Sequence, residues 1–270
     1  MSVLERLLHE PPFRLAAYFF VRRFAKSVRR IDRWGAVDRP QYLSGVLAAA
    51  ELAKSDGIPA ISVAEFGVAG GSGLVRLQEY AELVERQIGV SIRVIGFDTG
   101  EGLPASCDDY RDHPDQWQAS DYKMDVPKLR ARLTDRTDLH LGNIKATLPA
   151  FVAKPHAPIG FIACDVDLYS SAHDVLELLV LPGRRVLRRV FMYFDDIDFV
   201  FNHRFAGEWL AIDEFNREHD LMKIDVWHGI KKGRVFRDDP WLDKMFIAHD
   251  LGAINAYVSN RPPSTGCALV

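Results

Sequence analysis

The stretch AISVAEFGVAGGSG, residues 60–73, decides the fold. Its first seven residues, AISVAEF, are apolar enough for a buried strand. Gly67, Gly70, Gly71 and Gly73 then supply a tight turn in which the backbone takes positive φ and comes close to a ligand. LVRLQEYAELVERQ (74–87) reads as the helix that follows. Strand, glycine turn and helix in that order open a doubly wound α/β sheet, whose ligands lie beyond the carboxyl ends of its strands.

Working outward, the same alternation continues. Upstream, QYLSGVLAAAELAKSDG (41–57) reads as a helix closed by Gly57. Downstream, SIRVIGFD (91–98), DLHLG (138–142), PIGFIACDVD (158–167) and RRVFMYFDD (188–196) read as strands. Between and after them, VPKLRARL, IKATLPAFVAK, SSAHDVLELLVL and EWLAIDEFNREHD read as helices. LMKIDVWHG (221–229) and KMFIAHDLG (244–252) are late strands that pair antiparallel. The expectation is a Rossmann-like α/β fold: seven strands, mostly parallel, helices on both faces and a terminal antiparallel strand. Residues 1–58 form an N-terminal helical segment, a cap or a dimer- or membrane-facing element, and 59–270 the α/β domain. The polar, aromatic stretch from Leu103 to Pro127 is long enough for a lid or binding loop.

Composition narrows the partners. A net charge of -3 over 270 residues gives no general attraction to nucleic acid. Cys107, Cys164 and Cys267 form an odd, scattered set, suited to a reducing compartment and without zinc-ligand spacing. No apolar run reaches the roughly 20 residues of a membrane span, and MSVLERLLHE is unlike a secretory signal. A cytoplasmic protein is expected. In FRLAAYFFVRRFAKSVRRI (13–31), Phe13, Ala17, Phe20, Phe24 and Ile31 fall near helical spacing, with Arg22, Arg23, Lys26, Arg29 and Arg30 around them. Such a helix packs on the domain or on a second copy of the chain, a homodimer surface; contact with an anionic membrane is the less favoured reading.

The glycine turn accepts two kinds of cofactor. A dinucleotide asks for G-x-G-x-x-G so that its pyrophosphate rests on the helix start, whereas the spacing from Gly67 is G-x-x-G-G-x-G. S-adenosylmethionine has no phosphate; its amino-acid end asks for close backbone and an acid for its ammonium, and Glu65 stands just before the turn. Asp98, ending the second strand, is placed for ribose hydroxyls, a role it would also fill in a nicotinamide enzyme. The candidate cofactor contacts are Glu65, Gly67, Val68, Gly70, Gly71, Ser72, Asp98 and Thr99, with Asn143 as an adenine contact.

EFGVAGGSG, GFDTGEGLP, CDVDLYSSAHDVL and YFDD, spanning Glu65 to Asp196, occur in the order seen in the macrocin O-methyltransferase-like (TylF-type) class I methyltransferases, which this chain resembles. The resemblance implies an adenosylmethionine-dependent methyltransferase domain over 59–270, metal-dependent and acting on the hydroxyl of a sugar or other natural product. The chain departs from the family at Gly100 and Ile197, where aromatics are usual, and at LPGRRVLRR, which replaces a shorter turn. The rival readings are a nicotinamide-dependent oxidoreductase and a non-catalytic protein of the same fold.

Asp165 and Asp167 close one expected strand and Asp195 and Asp196 the next. If those strands are neighbours their ends lie about 5 Å apart. Like charges about 4 Å apart repel by about 4 kcal/mol at an effective dielectric of about 20. Protonation, a basic side chain or a hard cation must relieve that repulsion; helix capping is the plainer role for these residues. The resemblance implies that Asp165, Asp195 and Asp196 ligate a divalent cation, Mg²⁺ first among them. Asp167 is the candidate general base. His113, His203 and His228 are within conceivable reach of the site, and Lys231-Lys232-Gly233-Arg234 reads as a solvated turn.

Overall fold

The molecule is described here by a computed structural model covering residues 12–104 and 109–260. MSVLERLLHE, Cys107 and Cys267 lie outside the described residues. Three helices, α1 (Pro12–Phe24), α2 (Val28–Trp34) and α3 (Pro40–Ser55), precede β1 (Ala60–Phe66) and α4 (Ser72–Ile88). Then come β2 (Ser91–Asp98), α5 (Val126–Arg130), β3 (Thr137–Leu141), α6 (Ile144–Val152), β4 (Ile159–Cys164) and α7 (Tyr169–Leu176). The chain continues through β5 (Val186–Phe194), α8 (Gly207–Glu218), β6 (Met222–Val226), β7 (Met245–Asp250) and α9 (Leu251–Asn260).

The seven strands form one sheet in the order β3-β2-β1-β4-β5-β7-β6. Pairing is parallel from β3 to β5, and β7 runs antiparallel between β5 and β6. The expected Rossmann-like architecture is therefore present. Chain order reverses between β1 and β4, so the loops after those strands flank the switch point where such sheets bind ligands.

Alternation along each strand feeds two cores. Ile61 and Val63 face α3 and α4, whereas Ala64 and Phe66 face α6, α7 and α8. Helix α3, assigned from sequence to the N-terminal segment, buries Tyr42, Leu43, Val46 and Ala50 in the first of these cores.

Residues 13–31 are two helices where the sequence suggests one. Gln87 breaks the run: its carbonyl Oε1 accepts from the Val28 amide at 2.9 Å, and its Nε2 donates to the Lys26 carbonyl at 2.7 Å. The buried face of α1 also differs from the expected stripe. Leu15, Tyr18 and Val21 are buried, while Phe13, Phe20 and Phe24 are exposed. Among the described residues no helix is long and apolar enough to cross a membrane. Arg234 departs from the expected solvated turn as well; it bonds Asp32 and Ser44 and lies over Trp241.

Candidate active site

The glycine turn after β1 is shaped by two close approaches. A Cβ on Gly67 would lie 1.6 Å from the Asp165 carbonyl oxygen, and one on Gly73 would lie 1.9 Å from Glu65 Oε1. Only glycine permits both, so the turn sits against the end of β4 and over the Glu65 carboxyl. The Asp98 carboxylate fixes the turn from the other side. Its Oδ2 accepts from the Val68 and Ala69 amides, each at 2.8 Å, and its Oδ1 accepts from the Gly100 amide at 2.6 Å.

A cavity of about 290 Å³ opens at this switch point. Six carboxylates line it (Glu65, Asp98, Asp165, Asp167, Asp195 and Asp196) against a single cation, Arg39. Of the sequence-predicted cofactor contacts, Glu65, Gly67, Val68, Gly70, Ser72, Asp98 and Thr99 line the cavity. Gly71 and Asn143 do not. Gly71 faces Leu129, and Asn143 caps α6 by accepting from the Lys145 amide, leaving Ile144 on the cavity wall.

Glu65 is almost fully buried. Its Oε1 accepts from the Tyr42 hydroxyl at 2.6 Å, while Oε2 is buried without a partner. Burial outweighs the Tyr42 bond and lifts the carboxyl to about 8. Such a group is short of a hydrogen-bond donor, and an ammonium would satisfy it. Arg39, in the left-handed region at φ 49°, stands 3.9 Å from Asp165 and lies over the Tyr42 ring.

β4 ends at Cys164, so strand alternation does not orient Asp165 and Asp167 as the sequence suggested. The Asp165 amide extends the pairing by donating to the Phe66 carbonyl at 2.9 Å. Asp167 is then the middle residue of a three-residue turn, with φ 62° and the Leu168 amide bonded to the Val166 carbonyl. Turns of this kind with positive central φ are rare and strained. Four of the six non-glycine residues with positive φ among the described residues, Arg39, Ala69, Tyr122 and Asp167, line this one cavity. Strain concentrated in this way is a mark of functional sites.

Capping does not explain the aspartates. Helix α7 starts without a side-chain cap of its own. Asp112, from the long loop, takes that place by accepting from the Ser170 amide at 2.8 Å and its hydroxyl at 3.1 Å. Asp167 is left facing the cavity.

β4 and β5 are neighbours, with Cys164 opposite Phe194, and the two acidic pairs meet as expected. Burial first, and then the neighbouring carboxylates, raise Asp165, Asp167 and Asp196 each to about 7. The repulsion is relieved by retained protons and by cations. Lys244 donates to the Asp195 carbonyl at 2.6 Å and pairs with Asp198 at 2.7 Å. Asp195 also receives the Tyr193 hydroxyl, and Asp196 accepts from the Asp167 amide at 3.2 Å.

The expected Mg²⁺ site is therefore corrected. Among the described residues no group of three or more His, Cys, Asp or Glu is arranged to hold a metal ion. Asp195 turns to Tyr193 and Lys244, Asp196 to a backbone amide and Asp165 toward Arg39, so Asp165, Asp195 and Asp196 do not fit a divalent cation as they stand.

Other expectations change too. Ile197 is buried in the core beneath the site and meets no ligand space. His228 is exposed beside Asp225. His113 and His203 pack together with ring centres 5.0 Å apart, outside the cavity lining. Arg39, Tyr42, Tyr193, Lys244 and Asp112 were not foreseen; only Tyr193, two residues before Asp195 on one strand, carried a local signal.

No family model and no curated protein matches the chain. Solved structures do. The calicheamicin methyltransferase CalS11 is 19% identical over 89% of this chain and 94% of its own, with a TM-score of 0.53. An apo structure of CalS11, there described as a TDP-rhamnose 3'-O-methyltransferase, is 19% identical over 92% and 99%, with a TM-score of 0.44. The plantazolicin methyltransferase BpumL is 10% identical over 90% and 91%, with a TM-score of 0.35. At these identities the first likeness shows the fold alone: the sheet is built as in the methyltransferase CalS11.

Proposed function

We propose that the chain is an S-adenosylmethionine-dependent methyltransferase acting on the hydroxyl of a small molecule of sugar or natural-product type. The observation that carries this reading is the charge of the cavity, six carboxylates against one arginine. Such a lining repels a pyrophosphate and attracts a ligand bearing a sulfonium and an ammonium.

The loop amides point the same way. Val68 and Ala69, which a dinucleotide would use for its phosphates, are already engaged by the Asp98 carboxylate. A nicotinamide enzyme also leaves the Asp165–Asp167 and Asp195–Asp196 pairs without a role, and a merely structural protein leaves the strain at Asp167 unexplained.

Adenosylmethionine supplies a methyl group already activated for transfer. Glu65 would hold its ammonium through the unpaired Oε2, and the Gly67–Ser72 turn would pass along its amino-acid end. Asp98 shapes that turn and keeps lone pairs for ribose hydroxyls. Asp167 takes the acceptor's hydroxyl proton as the oxygen–methyl bond forms and the methyl–sulfur bond breaks. A carboxylate held near 7 suits this work at neutral pH, being ionised often enough to act and basic enough to take the proton. Arg39 and Lys244 offset the charge of Asp165 and Asp195, which keeps the acidic cluster intact while Asp167 ionises.

Titration calorimetry with adenosylmethionine and with NAD tests the reading. Saturable adenosylmethionine binding without NAD binding is expected; NAD binding in the absence of adenosylmethionine binding overturns it.

A further inference from the structure

A second cavity, of about 420 Å³, backs onto the acidic cluster. Leu15 and Phe19 of α1, Val37, Pro40, Pro240 and Trp241 form its apolar wall. Tyr193 and Lys244 line it as well. These two are the residues that hold Asp195, the first by its hydroxyl and the second by a 2.6 Å bond to the Asp195 carbonyl. Asp195 lines the first cavity. Arg39 lines the first and its neighbour Pro40 the second. The partition between the cavities is thus one residue thick on two sides.

The wall has the chemistry of a ligand site: predominantly apolar and aromatic, with a few polar groups that fix orientation. Its size falls within the roughly 300–1,000 Å³ of small-molecule sites. Trp241 adds an independent sign, because its indole N–H is buried and has no hydrogen-bond partner. Such donors are normally satisfied, and an oxygen on a bound molecule would satisfy this one. Helix α1 is held in place to form the wall. Tyr18 and Val21 pack with Ala36 and Phe236, and Arg22 pairs with Asp38 at 2.7 Å.

We infer that this second cavity receives the body of the methyl acceptor, and that the acceptor is a hydroxyl compound carrying a flat apolar ring system beside the methylated position. The inference rests on the methyltransferase reading. Rings lie against Phe19, Pro240 and Trp241, the indole N–H meets a ring substituent, and the reacting hydroxyl reaches past Asp195 to Asp167. The N-terminal helices are then part of the acceptor site.

The test uses 2-naphthyl β-D-glucopyranoside, a flat ring system bearing sugar hydroxyls, followed by tryptophan fluorescence in the full chain saturated with adenosylhomocysteine. Two variants report on the cavity: Val37→Trp fills it, and Phe19→Ala removes a wall. Adenosylhomocysteine affinity serves as the control for folding and for the first cavity. The probe is expected to bind the unsubstituted chain, about tenfold more weakly to Val37→Trp and about threefold more weakly to Phe19→Ala, with adenosylhomocysteine affinity unchanged. Absence of probe binding to the adenosylhomocysteine-bound chain, or equal binding to both variants, overturns the inference while leaving the methyltransferase reading in place. Failure of adenosylhomocysteine itself to bind overturns that reading and the inference with it.

Discussion

Asp167 and Glu65 divide the chemistry at the residue scale. Asp167→Asn keeps the size and polarity of the side chain but cannot take a proton. Turnover, read as adenosylhomocysteine release, is expected to fall by about 10²–10⁴, with adenosylmethionine affinity changed less than about twofold. Turnover is also expected to rise with pH through about 7, because Asp165, Asp167 and Asp196 titrate there as a coupled group and the base works ionised. A flat pH profile contradicts the assignment. Glu65 acts on binding. Its carboxyl stands at about 8 in the free chain, and an ammonium favours its ionised form. Below about pH 8, binding must expel a proton, so adenosylmethionine affinity strengthens as pH rises toward 8. Glu65→Gln is expected to weaken binding about tenfold and to abolish that pH dependence. The glycines and acids at these positions were legible because each is local: a run of glycines after an apolar run, and an aspartate at the end of a strand. Arg39, Tyr42 and Lys244 were not, since only the fold brings them to Asp165, Glu65 and Asp195.

At the scale of elements, the β4–α7 connection trades stability for placement. Asp167 occupies positive φ at the centre of a three-residue turn, a conformation that costs an L-residue about 1 kcal/mol or more. Asp167→Gly relieves that strain and removes a carboxylate from a crowded site. Its melting temperature is expected to rise by a few degrees while turnover is lost; a lower melting temperature speaks against strain there. The following helix depends on Asp112, which caps it from the long loop. Asp112→Ala is expected to cost about 1 kcal/mol in thermal unfolding. The elements themselves were largely readable. β1 and β2 were predicted at residues 60–66 and 91–98, and the structure places both there. The errors came where tertiary contacts decide. Gln87 splits the N-terminal helix from a distance of about sixty residues. Two stripes at helical spacing compete on α1, and the one through Leu15, Tyr18 and Val21 is buried, a choice that spacing alone does not make.

Across the whole molecule, the sheet order was readable from alternating strands and helices, because parallel pairs need crossover helices. The carboxylates that the sheet gathers leave a mark on global stability. Glu65, Asp165, Asp167 and Asp196 hold protons in the folded chain at pH values where the unfolded chain has released them. The folded state therefore binds more protons between about pH 4 and pH 8, and stability falls as pH rises through that window. Histidines with lowered values, such as His113 and His140, act only below about 6.5. The cleanest range is pH 6.5 to 8.5, over which scanning calorimetry should show the melting temperature falling by about 3 °C or more. The most direct measurement is the proton balance of adenosylmethionine binding at pH 7, from titration calorimetry in buffers of differing ionisation enthalpy. Close to one proton released per bound molecule in the unsubstituted chain, and none in Glu65→Gln, is the expected result. Binding with no proton released, or equal release from both chains, contradicts an ammonium seated on Glu65.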